Sequence, residues 1–275
     1  ASAAMIAKIP VVHLHGGEAT EGAFDESIRH SITKMSHLHF TATEEYRRRV
    51  IQLGEQPDRV FNVGAAGIDN IKRLKLLSKQ EFEQSINFKL GKKNLLVTFH
   101  PVTLEDTTSK QQFSDLLTAL NKLEDTHIIF TKANADTDGR VINKMIDKYV
   151  LEQPETTIAF NSLGQLRYLS AMQYVDGVVG NSSSGLLEAP SFKIGTVNIG
   201  DRQRGRVKAS SIIDSISTEE SVASALKKLF SQEFSNSVKQ TVSPFGNGGV
   251  AEKIVKIIDS FPLDDILKKK FYNEI

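Results

Sequence analysis

The chain has 275 residues, enough for one large domain or two of ordinary size, and it contains no cysteine, which excludes disulfides, a thiol nucleophile and cysteine-ligated zinc. Its residues are 40% hydrophobic and 24% charged, an ordinary globular composition that excludes collagen-like, disordered and disulfide-scaffold classes. Lys plus Arg number 34 against 33 Asp plus Glu, so a net charge of +1 gives no overall reason to expect nucleic acid or an anionic membrane as partner, and the apolar runs are of strand length, too short to span a bilayer.

Residues 1–8 read as a helix with Lys8 in its last turn, and 10–15 as a buried strand. A signal peptide fits poorly, because the apolar stretch is short and its one Lys follows it. A helix with no strand before it and no initiator Met leads to the expectation that the first half of an N-terminal domain is missing. A helix over 25–35, a strand over 38–41, a Thr43-capped helix and a strand over 59–63 follow, then Lys- and Leu-rich helical segments over 68–86.

Residues 87–93 break the composition, and the hinge is expected there. Beyond it, strands over 95–99, 127–130, 156–160, 176–180 and 195–199 alternate with helices over 109–123, 139–150, 163–172, 184–189 and 218–231. The tail from 249 to 270 reads as helical, broken at Pro262. This alternation predicts an α/β protein of two doubly wound parallel-sheet domains facing a cleft, with ligands at the carboxyl ends of the strands. The expected divisions are 1–88, 89–245 and a C-terminal helical segment 246–275 packing back across the hinge.

Every chemistry-bearing motif falls at such a strand end. The first is His13-Leu14-His15-Gly16-Gly17-Glu18, running on to Asp25, Glu26, Arg29 and His30. Carboxylates there can move protons, and Arg29 lies one helical turn after Asp25. A capped helix with a surface ion pair is the plainer explanation, but Gly-Gly-Glu at a strand end has little structural use. His13 and His15 imitate a metal-binding His-x-His pair, yet no third ligand is obvious, so no metal is assigned.

The second motif is Thr98-Phe99-His100-Pro101, whose histidine is placed as a phosphate donor or proton carrier. The third, 130–139, offers Lys132 to an anion and Asn134 to a substrate, although an Asx-rich helix cap explains the same letters. The fourth and strongest is Gly180-Asn181-Ser182-Ser183-Ser184-Gly185 followed by Glu188. Its hydroxyls and amides suit an anion, and Glu188 suits ribose hydroxyls. Neither a Walker A loop nor a G-x-G-x-x-G occurs, and no cofactor is called for. The fifth, Asp201-Arg202-Gln203-Arg204-Gly205-Arg206, presents three arginines able to clamp a diphosphate. The last, Ser243 to Gly249, closes on a phosphate or simply turns the chain.

Taken in order, His15-Gly16-Gly17-Glu18, Asp25-Glu26-Ser27-Ile28-Arg29-His30, Thr98-Phe99-His100-Pro101-Val102-Thr103, Asn181-Ser182-Ser183-Ser184-Gly185 with Glu188-Ala189-Pro190-Ser191, Arg202-Gln203 with Gly205-Arg206, and Pro244-Phe245-Gly246-Asn247-Gly248 resemble the hydrolysing UDP-N-acetylglucosamine 2-epimerases of sialic-acid-type sugar biosynthesis. The resemblance covers nearly the whole chain. It implies two Rossmann-like domains in the glycosyltransferase-B arrangement. It also implies a two-stage reaction: removal of the sugar C2 proton with loss of the nucleoside diphosphate, then addition of water to release a free C2 epimer.

On that resemblance Glu18 and Asp25 form the acid–base set, with Arg29 orienting Asp25 or the substrate, and His100 contacts the diphosphate or assists its departure. His15, Asn134 and Ser184 contact substrate, Ser182 and Ser183 hold phosphate oxygens, Glu188 the ribose and Arg202 the diphosphate. The chain departs from many relatives at His15, where they carry a glutamate. The expected partner is a UDP-linked sugar, UDP-GlcNAc or a diacetamido analogue. Relatives are often dimers, so a homodimer is one expectation, and the cytosolic supply of nucleotide sugars makes the cytoplasm the expected location. A non-hydrolysing epimerase, a glycosyltransferase on the same scaffold and a non-catalytic nucleotide-sugar sensor are the alternatives.

Overall fold

The computed structural model describes residues 1–19, 25–101, 108–133 and 137–273, and the side chains of 25, 137 and 138 fall outside the described set. The chain divides into two compact units: Ala1–Arg73 with Arg204–Val207 and Ser243–Ile275, and Leu74–Gln203 with Lys208–Val242.

The first unit contains α1 (Ser2–Ile6), β1 (Val12–Leu14), α2 (Asp25–Met35), β2 (Leu38–Thr41), α3 (Glu44–Gln52), β3 (Val60–Asn62) and α4 (Gly67–Arg73). Its three strands form a parallel sheet in the order β1-β2-β3, with Val12 opposite Leu38 and His39 opposite Val60. Thr43 caps α3 by accepting a hydrogen bond from the Tyr46 amide, as its position before two glutamates predicts. Leu38, Phe40 and Val63 form a core with Val250 and Ile266 from the C-terminal segment.

The second unit begins with α5 (Lys79–Ile86) and continues through β4 (Lys93–Thr98), α6 (Ser109–Leu120), β5 (Thr126–Thr131), α7 (Thr137–Glu152), β6 (Thr157–Phe160), α8 (Gly164–Ala171), β7 (Gly177–Gly180), α9 (Ser184–Leu187), β8 (Gly195–Ile199), β9 (Ile212–Ser215), α10 (Glu219–Leu229) and α11 (Gln232–Val238). Six parallel strands run in the order β6-β5-β4-β7-β8-β9. The apolar run Leu95-Leu96-Val97 is fully buried, as a central strand covered on both faces requires. Phe113 and Leu116 of α6, Ile142 of α7 and Leu226 of α10 pack in the same core as Leu95 and Val97. The last helix, α12 (Val250–Ser260), belongs to the first unit.

The order reverses between β4 and its neighbours β5 and β7, so the crevice expected of a doubly wound sheet opens at the carboxyl ends of β4 and β7. That is where His100 and Asn181 lie. Among the described residues no helix is long and apolar enough to cross a membrane.

Two expectations need correcting. The division between the units falls after Arg73, not at 88, because α5 and the residues before it are tied to α8 and the turn after it. The Leu77 amide donates to Ser170 Oγ at 3.0 Å, the Tyr174 hydroxyl donates to Leu77 O at 2.8 Å, and the Phe82 and Tyr174 rings pack 6.1 Å apart. The break at 87–93 is internal to the second unit, where Lys89 Nζ and the Leu90 amide both donate to the Glu83 carboxylate. Second, β9 and α11 carry segments to which the sequence pattern assigned no element.

Candidate functional site

In the first unit the chain leaves β1 through a turn that only glycine allows. His15 has φ of 61° and Gly17 of 76°, and a Cβ on Gly17 would lie 2.2 Å from the Tyr46 carbonyl oxygen. Arg49 clamps the turn by donating to Gly17 O at 2.7 Å. Gly-Gly therefore has a structural use after all: it seats the loop against α3 and delivers Glu18 to a buried position.

Glu18 is held from several sides. Its Oε1 lies 3.1 Å from His15 Nδ1 and its Oε2 3.5 Å from Arg206 Nη2, while its backbone carbonyl accepts from Arg29 at 3.2 Å. The Ala66 amide donates to His15 Nε2 at 3.4 Å, which leaves the His15 proton on Nδ1, directed at Glu18. Burial pushes the Glu18 carboxyl up, but the His15 hydrogen bond and the charges of Arg206 and Arg29 outweigh it and hold the pKa below the ordinary value. Glu18 is thus an ionised, buried carboxylate at neutral pH.

Arg29 pairs with Glu26 at 3.0 Å, and the other Glu26 oxygen lies 3.0 Å from His30 Nε2. The Asp25 side chain lies outside the described residues, so its expected partnership with Arg29 is not described. His13 and His15 do not act as a pair. β1 ends at Leu14, and His13 turns to Thr33 Oγ1 at 3.2 Å while His15 turns to Glu18. Burial, reinforced by neighbouring positive groups, lowers His13 to about 4 and keeps it neutral. Among the described residues no group of three His, Cys, Asp or Glu is arranged to hold a metal.

In the second unit Asn181 organises the loop after β7. Its Oδ1 accepts from the His100 amide at 2.7 Å and its Nδ2 donates to His100 O at 2.8 Å, so one side chain fixes the backbone after β4. Its own carbonyl accepts from Arg202 Nη1 at 3.0 Å and Gln203 Nε2 at 2.9 Å, which places Arg202 beside the serine loop. Gly180 makes this convergence possible: with φ of 131°, a Cβ there would lie 1.9 Å from Thr98 O. Ser182, Ser183 and Ser184 are half-buried, and Tyr168 is hydrogen-bonded to Ser184. Because α9 is a single turn, any anion held here is held by hydroxyls, amides and Arg202 rather than by a helix dipole.

Glu188 follows that turn. Its Oε2 is buried without a hydrogen-bond partner among the described residues, and burial pushes its carboxyl up to about 7. A buried carboxylate oxygen with nothing donating to it is suited to receive a ligand hydroxyl.

Of the arginines of the fifth motif, Arg202 belongs to the second unit and donates to Asn181 O, and Arg206 pairs with Glu18 in the first. Lys132 is already paired with Asp147 at 2.5 Å, and Asn134 lies outside the described residues. The glycine-rich turn at 243–249 feeds α12, whose first amides donate to the Asp69 carboxylate at 3.0 and 2.8 Å; a side-chain carboxylate occupies the place a phosphate would take. Sequence reasoning missed Tyr168, which lies inside a helix with no motif around it, and the pairing of Arg206 with Glu18.

Two parallel-sheet α/β units, one with a buried ionised glutamate and one with a hydroxyl-lined loop at a switch point, define a protein of the doubly wound α/β class. The chain belongs to the UDP-N-acetylglucosamine 2-epimerase family, whose profile matches residues 1–259. It is 43% identical, over 98% of its length and 70% of the relative's, to the hydrolysing GDP/UDP-N,N'-diacetylbacillosamine 2-epimerase of Campylobacter jejuni. It is 42% identical, over 95% of its length and 66% of the relative's, to polysialic acid biosynthesis protein P7 of Escherichia coli. Among solved structures, S. aureus MnaA with UDP matches with a TM-score of 0.76 at 17% identity, covering 99% of this chain and 73% of that one. The Neisseria meningitidis UDP-GlcNAc 2-epimerase bound to UDP-GlcNAc also gives 0.76, at 18% identity over 94% and 71%. These last two likenesses establish the shared fold.

Proposed function

We propose that the protein is a hydrolysing 2-epimerase acting on a UDP-linked 2-acetamido sugar, with a diacetamido hexose favoured over N-acetylglucosamine. The observation that carries this reading is the 43% identity, over nearly the whole chain, to an enzyme named for hydrolysing epimerisation of a diacetamido sugar nucleotide.

The chemistry balances as follows. A base takes the C2 proton; the C–H electron pair becomes the C1–C2 double bond, and the C1–O bond breaks with its electrons leaving on UDP. Water then adds across the glycal, hydroxyl to C1 and a proton to C2 on the other face, giving the free epimer. Glu18 and Asp25 serve as the acid–base set, and a Glu18 held ionised supports its role as a base at neutral pH. His15, donating to Glu18, fixes that carboxylate, and Arg29 fixes the backbone beside it.

The second unit holds the leaving group. Ser182, Ser183, Ser184 and Arg202 bind the diphosphate, His100 assists its departure and Glu188 accepts from ribose hydroxyls through its unpartnered oxygen. Donors aimed at the phosphates stabilise the charge that grows there as C1–O breaks.

Proton NMR in D₂O tests the reading. Incubation with the UDP-linked diacetamido sugar is expected to release UDP and a free sugar carrying deuterium at C2. An equilibrated pair of intact nucleotide sugars would make it a non-hydrolysing epimerase. Intact substrate with UDP-GlcNAc and with UDP- and GDP-linked diacetamido sugars would overturn the enzyme reading.

A further inference from the structure

The hydroxyls around the serine loop are linked to one another. Tyr168 of α8 is bonded through its hydroxyl to Ser184 Oγ, and Ser182 Oγ lies 3.1 Å from Ser184 Oγ. The three hydroxyls thus form a row with two links, Ser184 in the middle. Each hydroxyl carries one proton, so two protons make the links and one is left for a ligand. Which end of the row offers it depends on whether Tyr168 donates.

We propose that Tyr168 is a positioning residue for the anion loop: its hydroxyl lets Ser182 or Ser184 turn a proton out to a bound phosphate while the serine oxygen still accepts one from within. This rests on the reading that the second unit holds the diphosphate. With Tyr168 donating to Ser184 and Ser184 to Ser182, the Ser182 proton is free to reach an arriving phosphate oxygen, both serine oxygens still accept from within, and each bond polarises the next. Burial pushes the phenol pKa up, against the hydrogen bond with Ser184, so the group remains a hydroxyl through the neutral range. Without that hydroxyl, the serines keep only each other, and the turned-out proton leaves a half-buried oxygen unsatisfied.

Calorimetric titration with UDP and with uridine, on the wild-type protein and on Tyr168→Phe, tests the proposal. Tyr168→Phe keeps the ring and is expected to weaken UDP about tenfold while uridine binding stays within about twofold, because only UDP carries the phosphates. The same substitution placed on Ser182→Ala/Ser184→Ala is expected to cost UDP binding nothing more. Ser184→Ala breaks the row at its middle member, and a loss at least as large, again confined to UDP, is expected. If Tyr168→Phe does not fold, the Ser184→Ala selectivity decides. Equal losses for UDP and uridine, or unchanged UDP affinity in a wild-type protein that binds UDP, would overturn the role of Tyr168 alone. A wild-type protein that binds no UDP would overturn the nucleotide reading and this proposal with it.

Discussion

The two units treat buried carboxylates in opposite ways. In the first, Glu18 lies between His15 and Arg206, and Glu55 between Lys34, His39 and Lys269; both are pulled below the ordinary carboxylate range although burial pushes them up. In the second, no cation among the described residues draws Glu188 down, only a hydrogen bond from its own backbone opposes burial, and the carboxyl rises to about 7. The sign of the shift is set by the partner, not by the depth. A carboxylate kept ionised by fixed cations suits proton abstraction. One with an oxygen to which nothing among the described residues donates suits a ligand that brings its own hydroxyl donors. Apart from Arg202, which reaches the serine loop through Asn181 O, the second site is built from the neutral side chains of Ser, Thr, Tyr and Asn, which cost little desolvation and repel no phosphate.

The largest effect that sharpens this contrast is expected at Glu18. Glu18→Gln keeps the shape and removes the base, so turnover is expected to fall about a thousandfold, as loss of a general base commonly does. UDP affinity is expected to stay within about twofold, since Glu18 belongs to the unit to which we assign proton transfer. NMR turnover assays and calorimetry with UDP measure the two separately. A parallel loss of UDP affinity would break the division of labour.

Next in size comes Asn181→Ala. It deletes both hydrogen bonds that fix the His100 backbone, and about 2 kcal/mol of stability is expected to go with them. UDP binding is expected to weaken as the serine loop loses its anchor. Denaturant melts and calorimetry report the two losses, and a variant with wild-type stability would show that the loop is held by Arg202 and Gln203 alone.

How much of this was legible in the sequence follows from chain separation. The β1-turn-α2 motif and the β7-loop-α9 motif are local, and both placed their residues at strand ends. The Arg206–Glu18 pair joins segments far apart in the chain and carries no spacing signal. Asp69 reads as an ordinary helical acid until α12 is seen resting its first amides on it. Tyr168 sits in a helix between Arg167 and Leu169 with no motif around it, and only folding brings it against the serine loop. β9 is a four-residue edge strand whose burial alternates, a weak signal beside the continuous apolar run of β4. The Gly-Gly turn was legible as a turn, whereas its reason, the Tyr46 carbonyl 2.2 Å from any added Cβ, was not.

Glu188 gives a pH test of the contrast. Its pKa of about 7 in the folded state lies above the ordinary 4.5, so the folded state holds a proton that the unfolded state releases between those values. Stability is therefore expected to be full below about pH 4.5 and to decline as pH rises through 7, by roughly 3 kcal/mol. Glu188→Gln removes that decline, so its melting temperature is expected to exceed the wild type's at pH 8 and not at pH 5. Ribose hydroxyls favour the ionised form. UDP binding to the wild type, corrected by the Glu188→Gln titration for the ionisation of UDP itself, is expected to tighten between pH 6 and 8. A flat difference between the two proteins would mean that Glu188 is solvated or paired.

The smallest expected effect tests the opposite sign. Lys269 Nζ donates to Glu55 Oε1 at 2.9 Å and to Ser36 O at 2.6 Å, and lies 2.8 Å from Glu55 Oε2. Glu55 keeps Lys34 and His39 when Lys269 is removed, so Lys269→Ala is expected to cost only about 1–2 kcal/mol, far less than stripping a buried ion of every partner. The Glu55 carboxyl is pushed up by burial but drawn down to about 2 by hydrogen bonds from His39, Lys269 and Lys34. That stability is present above pH 4.5 and disappears as pH falls through 2. Lys269→Ala lets the carboxyl rise part of the way back, so acid unfolding is expected to begin at higher pH than in the wild type, while UDP binding at pH 7.5 stays the same. An unmoved acid limb would show that Lys34 and His39 alone set the charge of Glu55, and that the C-terminal segment docks on the first unit through Ile266 and the backbone rather than through this ion pair.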